Sequence, residues 1–147
     1  MFSMPSHTYL LIDDDADDLE IFALALADAC IECRLVTAKN GLEALDLFLA
    51  DDTFSPDFIF IDLNMPLMNG KQFLATLKSS MKLQRIPAII YTTSSHPKDI
   101  EETEALGATH FLVKPTSIGD LTKILTKILD QKSLPFFLNE EFKNLAI

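Results

Sequence analysis

The sequence predicts an α/β protein built on a doubly wound parallel sheet of five strands, with helices on both faces. Short apolar runs alternate with helical patterns five times along the 147-residue chain, which is typical of consecutive β–α units. The apolar runs lack polar alternation, so each strand is expected to be buried on both sides by helices. The length suits one domain, and 48% hydrophobic residues can form its core.

The five predicted strands are residues 8–12, 33–38, 58–61, 88–91 and 111–113. Pro56 precedes the third of them, and Pro87 opens the fourth. Right-handed crossovers between parallel strands then make an open, doubly wound sheet.

A helix is expected after each strand, because apolar residues recur at helical spacing. The helical patterns cover residues 16–30, 42–49, 73–81, 98–106 and 118–128. Leu42, Leu49, Met81 and Ile118 are among the residues assigned to inner helix faces. One domain is therefore predicted over residues 1–131, followed by a short apolar tail, 132–147, and no output domain.

Charge and composition exclude several classes of partner. Lys and Arg total 12 against 22 Asp and Glu, a net charge of −10, which disfavours binding to nucleic acid or to an anionic membrane surface. The apolar runs are too short to span a membrane, and a secretory signal is not visible. A cytoplasmic protein is expected, in which Cys30 and Cys33 are buried, unreactive thiols.

Polar side chains follow four of the five strands. Asp13-Asp14-Asp15 follow the first strand, Asp62 the third, Thr92 the fourth and Lys114 the fifth. Each of them taken alone is most simply a helix cap or a loop residue. In an open α/β sheet, however, binding sites form outside the carboxyl ends of the strands, so these side chains are expected to converge.

The chemistry of this set points to a cation and a phosphoryl group. Two carboxylates about 5 Å apart repel each other by roughly 3 kcal/mol at an effective dielectric constant near 20. A hard divalent cation such as Mg²⁺ relieves this repulsion. Together with a lysine ammonium and a threonine hydroxyl, the cation forms a cradle for a tetrahedral dianion, inside which a carboxylate can accept a phosphoryl group.

Four segments resemble the response-regulator receiver domain of two-component signalling. Residues 10–15 resemble its first strand and acid pair, residues 59–70 its phosphoacceptor segment, residues 89–94 its switch-hydroxyl strand and residues 107–115 its final strand. The resemblance covers residues 8 to 131. It implies a flavodoxin-like (βα)5 fold with strand order 2-1-3-4-5.

The resemblance also implies a role for each site residue. Asp62 would accept the phosphoryl group from a phosphohistidine of a sensor histidine kinase or a histidine phosphotransfer protein, and Thr92 and Lys114 would contact it. The implied metal, Mg²⁺ or Mn²⁺, would be held by Asp13, Asp14, Asp62 and the backbone carbonyl of Asn64, with Asp13 acting through a water.

The remaining implications concern switching. Phe111 takes the position of the switch aromatic, whose rotamer follows Thr92, and the Lys114–Pro115 bond is expected to be cis. The expected function is a stand-alone response regulator, not an enzyme, whose phosphorylation alters contacts with a downstream protein or relays the phosphoryl group. The apolar tail, with Phe136, Phe137, Leu138 and Phe142, is expected either to pack on its own domain or to form a homodimer or partner contact.

Three other classes of function compete with this interpretation. A haloacid-dehalogenase-type phosphatase also uses an aspartate after a strand, but Asn64 stands where its general acid is expected. A flavodoxin-like cofactor carrier needs a phosphate-binding loop where three aspartates lie, and these would repel the phosphate. A phosphorylation-independent adaptor on the same scaffold would not need the intact set of Asp14, Asp62, Thr92 and Lys114.

Overall fold

Strands and helices alternate along the chain in a computed structural model that describes residues 7–30, 32–130 and 133–139. Over these residues there are five strands and five helices. The strands are β1 (His7–Ile12), β2 (Cys33–Ala38), β3 (Phe58–Ile61), β4 (Ala88–Thr92) and β5 (His110–Val113). The helices are α1 (Ala16–Ala29), α2 (Gly41–Ala50), α3 (Gly70–Ser79), α4 (Pro97–Ala105) and α5 (Ile118–Asp130).

The strands form one sheet in the order β2-β1-β3-β4-β5, and every neighbouring pair is parallel. The predicted fold class and strand order are therefore confirmed. Ile12, the last residue of β1, pairs with Ile61, the last residue of β3, and Thr92 at the end of β4 pairs with Val113 at the end of β5. This register brings the carboxyl ends of four strands to one edge of the sheet.

Alternate strand residues enter two separate apolar cores. One core packs Leu10, Ile59 and Ile90 of the strands against Phe73 of α3 and Phe48 of α2. Because side chains along a strand point alternately to opposite faces, the next strand residues face the other core. There, Tyr9, Phe60 and Tyr91 contact helix residues that include Phe22 of α1 and Leu125 of α5.

Short polar side chains define where the helices begin. Asp15 accepts the backbone N–H groups of Asp17 and Asp18 at the start of α1, which satisfies donors that the first turn leaves unpaired. Asn40 caps α2 in the same way. Asn69 and Gln72 form a reciprocal capping box at the start of α3.

Some residues predicted to lie on the inner faces of helices are exposed to solvent in the structure. Leu42, Leu49, Met81 and Ile118 are all exposed, and Met81 follows the end of α3. The error has a simple cause: α2 buries Ala44 and Phe48, so small residues occupy part of the face that contacts the sheet. An apolar-only pattern assigns that face to the larger leucines.

The chain returns along the free side of β5 after helix α5. Phe137 bridges to Phe111 in a parallel direction, and the Phe111 amide donates to the Phe136 carbonyl at 2.7 Å. Leu138 is fully buried in the core shared with α1 and α5. The described part of the tail thus packs on its own domain, whereas Phe142 lies outside the described residues.

Cys30 and Cys33 are joined by a disulfide, so the expectation of unreactive free thiols was wrong. The spacing allows the bond because the two Cα atoms lie 5.5 Å apart, within the range that a disulfide can bridge. None of the described helices combines the length and the apolar character needed to span a bilayer.

Candidate functional site

The site lies where four strands end. Asp13 follows β1 directly, Asp62 follows β3, Thr92 ends β4 and Lys114 follows β5. The Asp62 amide donates to the Ile12 carbonyl at 2.9 Å, so the sheet ladder itself sets the position of Asp62 against β1. The convergence expected from the order of the strands is therefore present.

Three carboxylates form a cluster on this edge. One oxygen each from Asp13, Asp14 and Asp62 lies within 4.8 Å of the others. Asp13 is fully buried and Asp62 is 7% exposed, whereas Asp14 is exposed. Grouped carboxylate oxygens that are partly open to water are the ligands that hard divalent cations prefer, so these residues fit such an ion. Asn64, the fourth predicted ligand, is exposed two residues after Asp62.

Lys114 supplies the positive charge of the site. Its Nζ donates to Asp13 Oδ2 at 2.7 Å and to Asp18 Oδ2 at 2.7 Å, and it lies 3.9 Å from Asp62 Oδ2. Nζ also lies 5.3 Å from the centre of the Tyr91 ring, where the face of an aromatic ring attracts a cation. The side chain of Lys114 is only 9% exposed.

Burial sets the protonation behaviour of the carboxylates. It raises the pKa of Asp62 to about 6; Lys114 opposes this shift and the Asp13 charge reinforces it. The pKa of Asp13 is also raised by burial, against the hydrogen bond from Lys114. Burial alone would lower the pKa of Lys114, but its hydrogen bonds to Asp13 and Asp18 raise it, so the lysine stays charged.

Thr92 carries a buried hydroxyl with unused hydrogen-bonding capacity. The residue is fully buried, and its Oγ1 makes no hydrogen bond within the described part of the chain, although it lies close enough to Asp62 to favour the ionised carboxylate. A buried hydroxyl without a partner is costly. Its position at the end of β4, close to Asp62, suits a hydrogen bond to a ligand oxygen bound at Asp62.

Phe111 is fully buried and is not half-buried as an ordinary edge residue would be. Its ring centre lies 6.0 Å from that of Phe137 and 6.5 Å from that of Phe136. The predicted switch aromatic therefore sits between the core and the returning tail.

The expected cis bond at Pro115 is not found, since the described residues contain no cis peptide bond. The prediction was carried over from the resemblance, in which a cis bond aims the lysine inward. A trans bond is the intrinsically favoured form before proline. With this bond trans, the Lys114 side chain still donates a hydrogen bond to Asp13.

The loop between β3 and α3 holds Asp62 through close backbone packing. A Cβ atom on Gly70 would collide with the carbonyl oxygen of Asp62 and would lie 2.8 Å from Leu63 Cα, so only glycine fits there. Leu67 in the same loop has a φ of 65°, a conformation that is strained for a leucine.

Two contacts of Lys114, with Asp18 and with the Tyr91 ring, were not predicted from the sequence. Asp18 belongs to the first turn of α1 and Tyr91 precedes Thr92 in β4. The only available signal was their closeness to strand ends, which does not reveal that the end of β5 meets the first turn of α1.

The family model of the response regulator receiver domain matches residues 9–126. The chain belongs to this family. The resemblance inferred from the sequence is thus confirmed, and the protein is a receiver domain of two-component signal transduction. Receiver domains of this kind take phosphoryl groups from histidine kinases or histidine phosphotransfer proteins.

Relatives with determined structures share the receiver fold. The response regulator Rcp1 of Synechocystis sp. is 28% identical over 130 residues, which are 86% of this chain and 88% of Rcp1. Its Mn²⁺-bound crystal structure matches with a TM-score of 0.75 over 88% of this chain and 99% of Rcp1. The phosphorylated cyanobacterial phytochrome response regulator RcpA matches with a TM-score of 0.76 and 26% identity over 96% of each chain.

The matched receiver sequence makes up most of some relatives and a small part of others. The two-component response regulator ORR11 of Oryza sativa is 31% identical over 125 residues, 85% of this chain and 82% of that protein. In two longer relatives, the matched region is only 28% and 29% of the protein.

Proposed function

We propose that Asp62 is the phosphoacceptor of this receiver domain. The donor would be a phosphohistidine of a sensor histidine kinase or a histidine phosphotransfer protein. The observation that carries the proposal is the environment of the Asp62 carboxylate: it is buried in an acidic cluster, 3.9 Å from Lys114 Nζ, beside the hydroxyl of Thr92, which has no hydrogen-bond partner among the described residues. A nucleophile and groups able to stabilise the transferred charge therefore lie within one small volume.

The transfer would exchange one bond for another. An O–P bond forms between a carboxylate oxygen of Asp62 and the phosphorus atom, while the N–P bond of the phosphohistidine breaks. The bonding electron pair stays on the imidazole nitrogen, which then takes up a proton. The Asp62 carboxylate must be ionised to attack, and its pKa of about 6 leaves it ionised at neutral pH.

Asp13, Asp14 and Asp62, with the backbone carbonyl of Asn64, would hold Mg²⁺ or Mn²⁺. When bound, the ion supplies positive charge between the carboxylates and the incoming phosphoryl group. Lys114 supplies a second, fixed positive charge, and Thr92 can donate a hydrogen bond to a phosphoryl oxygen. These groups would orient the phosphoryl group without changing protonation themselves.

Phosphorylation would act as a conformational signal. The new anion at Asp62 attracts Thr92 and Lys114, which end β4 and follow β5, so it biases the surface formed by α4, β5 and α5. Phe111 lies within this region, against Phe136 and Phe137. The proposed readout is a change in contact with a downstream protein, or onward transfer of the phosphoryl group.

The direct test is the intact mass of the full chain after incubation with acetyl phosphate and Mg²⁺. The native chain should gain one phosphoryl group, and Asp62→Asn should gain none. Asp52→Asn is the matched control, because Asp52 is an exposed aspartate whose side chain pairs with Lys82 and not with a residue of the cluster. Labelling of Asp62→Asn to the native level would overturn the assignment.

A native chain that shows no adduct is examined with beryllofluoride, which mimics an aspartyl phosphate. Binding of beryllofluoride would then indicate a rapidly hydrolysed phosphoryl group and support the proposal. Absence of both adduct and beryllofluoride binding would favour the phosphorylation-independent adaptor. Multiple turnover of a phosphomonoester would favour the phosphatase.

A further inference from the structure

Lys114 has a second anionic partner outside the three-carboxylate cluster. Asp18 Oδ2 lies 2.7 Å from Lys114 Nζ, as close as Asp13 Oδ2, whereas Asp62 Oδ2 is 3.9 Å away. Asp18 stands on the first turn of α1 and is partly buried. The ion pair joins residues that are 96 positions apart, so it ties α1 to the segment after β5.

We infer that Asp18 is a positioning residue that holds the Lys114 ammonium towards α1 and away from Asp62, and so opposes phosphorylation of Asp62. This inference rests on the proposed role of Asp62 as phosphoacceptor. It assigns to Asp18 a task beyond helix capping, since the Asp15 side chain already caps α1.

The Lys114 ammonium group has few free hydrogen-bond donors. A lysine ammonium has three N–H bonds to donate, and two of them point to Asp13 and Asp18. The Tyr91 ring contacts the same group, and little of the side chain meets water. Any new acceptor at Asp62 must therefore use the remaining N–H or displace one of the two carboxylates.

Asp13 and Asp18 differ in what their displacement would do. Asp13 belongs to the acidic cluster, so its contact keeps the ammonium at the site. Asp18 lies outside the cluster, so its contact draws the ammonium away. A phosphoryl dianion on Asp62 would compete with Asp18 for the Lys114 ammonium. Removing the Asp18 charge should therefore favour the pairing of Lys114 with the phosphoryl group.

The size of the effect follows from the exposure of Asp18, whose side chain is 27% accessible. A partly exposed charged pair of this kind contributes about 1 kcal/mol, which corresponds to roughly a fivefold change in an equilibrium constant. We therefore expect Asp18→Asn to bind beryllofluoride roughly fivefold more tightly than the native chain in saturating Mg²⁺.

The matched control is Asp17→Asn. Asp17 is the preceding residue on the same turn and is exposed. Its substitution removes the same charge, but Asp17 makes no ion pair with Lys114 within the described residues. Both variants should weaken Mg²⁺ binding to a similar small extent, whereas only Asp18→Asn should tighten beryllofluoride. Asp18→Glu, which keeps a carboxylate, should return the affinity towards the native value.

A spectroscopic readout separates positioning from a general effect on folding. The ¹³Cε resonance of Lys114 in unphosphorylated Asp18→Asn should shift towards its position in the beryllofluoride-bound native chain. Asp18→Ala removes the acceptor completely and should give the same or a larger shift. The thermal unfolding midpoint of each variant shows whether the substitution has changed the stability of the fold.

The outcomes distinguish the role of Asp18 from the role of Asp62. If the native chain binds beryllofluoride and Asp18→Asn binds it no more tightly than Asp17→Asn, the role of Asp18 is overturned while the role of Asp62 stands. If the native chain gives neither an adduct with acetyl phosphate nor beryllofluoride binding, the proposed function itself fails. A tighter complex with an unmoved Lys114 resonance also contradicts the inference, because the ammonium would not have moved.

Discussion

Polar groups are left without full compensation at the carboxyl-end edge of the sheet, whereas they are hydrogen-bonded along the free side of β5. Where the strands end, buried polar groups are poorly compensated: the Thr92 hydroxyl lacks a hydrogen-bond partner among the described residues, and burial raises the pKa of Asp62. Along the free side of β5, the tail satisfies the backbone. Asn139 Oδ1 accepts from the Val113 amide at 2.7 Å, and Asn139 Nδ2 donates to the Val113 carbonyl at 3.1 Å.

The difference shows which border is organised for stability and which for a ligand. An uncovered edge strand invites pairing with another chain, and residues 134–139 cover β5 with backbone and amide hydrogen bonds and with the buried Leu138. The carboxyl-end border holds a destabilising concentration of charge instead, as functional sites commonly do. Three measurements test this contrast.

The largest expected effect is at the tail. Leu138→Ala should lower the free energy of unfolding by about 2–4 kcal/mol, because a fully buried leucine would leave a cavity. Leu49→Ala is the matched control: Leu49 is 81% exposed, and its replacement should change stability by less than about 0.5 kcal/mol. Urea unfolding measures both, and equal midpoints would show that the tail does not contribute packing energy.

The next effect concerns the acidic cluster without divalent metal. The pKa of Asp62 in the folded chain, about 6, lies above its ordinary value of 3.8, so the folded state binds the proton more tightly than the unfolded state. This contribution to stability is complete below about pH 4 and is lost as the pH rises through about 6.

Asp62→Asn should therefore be as stable as the native chain near pH 4 and more stable at pH 7, by about 3 kcal/mol at most. Thermal unfolding in a chelator across this range measures the gap. Added Mg²⁺ should narrow it, because an ion that binds the folded native carboxylates stabilises that chain. A gap that is constant from pH 4 to pH 7 would contradict the raised pKa.

The smallest effect is backbone strain beside the site. Leu67 has a φ of 65° and is 79% exposed, so Leu67→Gly should raise stability by about 0.5–1 kcal/mol by relieving the left-handed conformation. Leu24→Gly, at an exposed position in the interior of α1, should lower stability by about 1 kcal/mol. Opposite signs in urea unfolding are expected, and a loss of stability at both positions would place the strain elsewhere.

Much of the molecule could be predicted from local pattern. The five strand–helix units follow from apolar periodicity, and the convergence of Asp13, Asp62, Thr92 and Lys114 follows from parallel topology, since all four stand at strand ends. The errors arose where contacts are distant in sequence. Leu42 and Leu49 were assigned to the core because periodicity ranks side chains by apolarity alone, whereas α2 packs through Ala44 and Phe48.

The acidic edge and the placement of the lysine were thus determined by the sequence itself, because each depends on residue type at the end of a strand, whereas the strand order followed from the resemblance to the receiver family. Only the tertiary structure decided that Lys114 pairs with Asp18, that the tail closes β5 through Asn139, and that Phe111 lies between the core and Phe137. These contacts join segments 26 to 96 residues apart. Their partners are selected by how helices and tail dock on the sheet, and no local spacing in the chain encodes that docking.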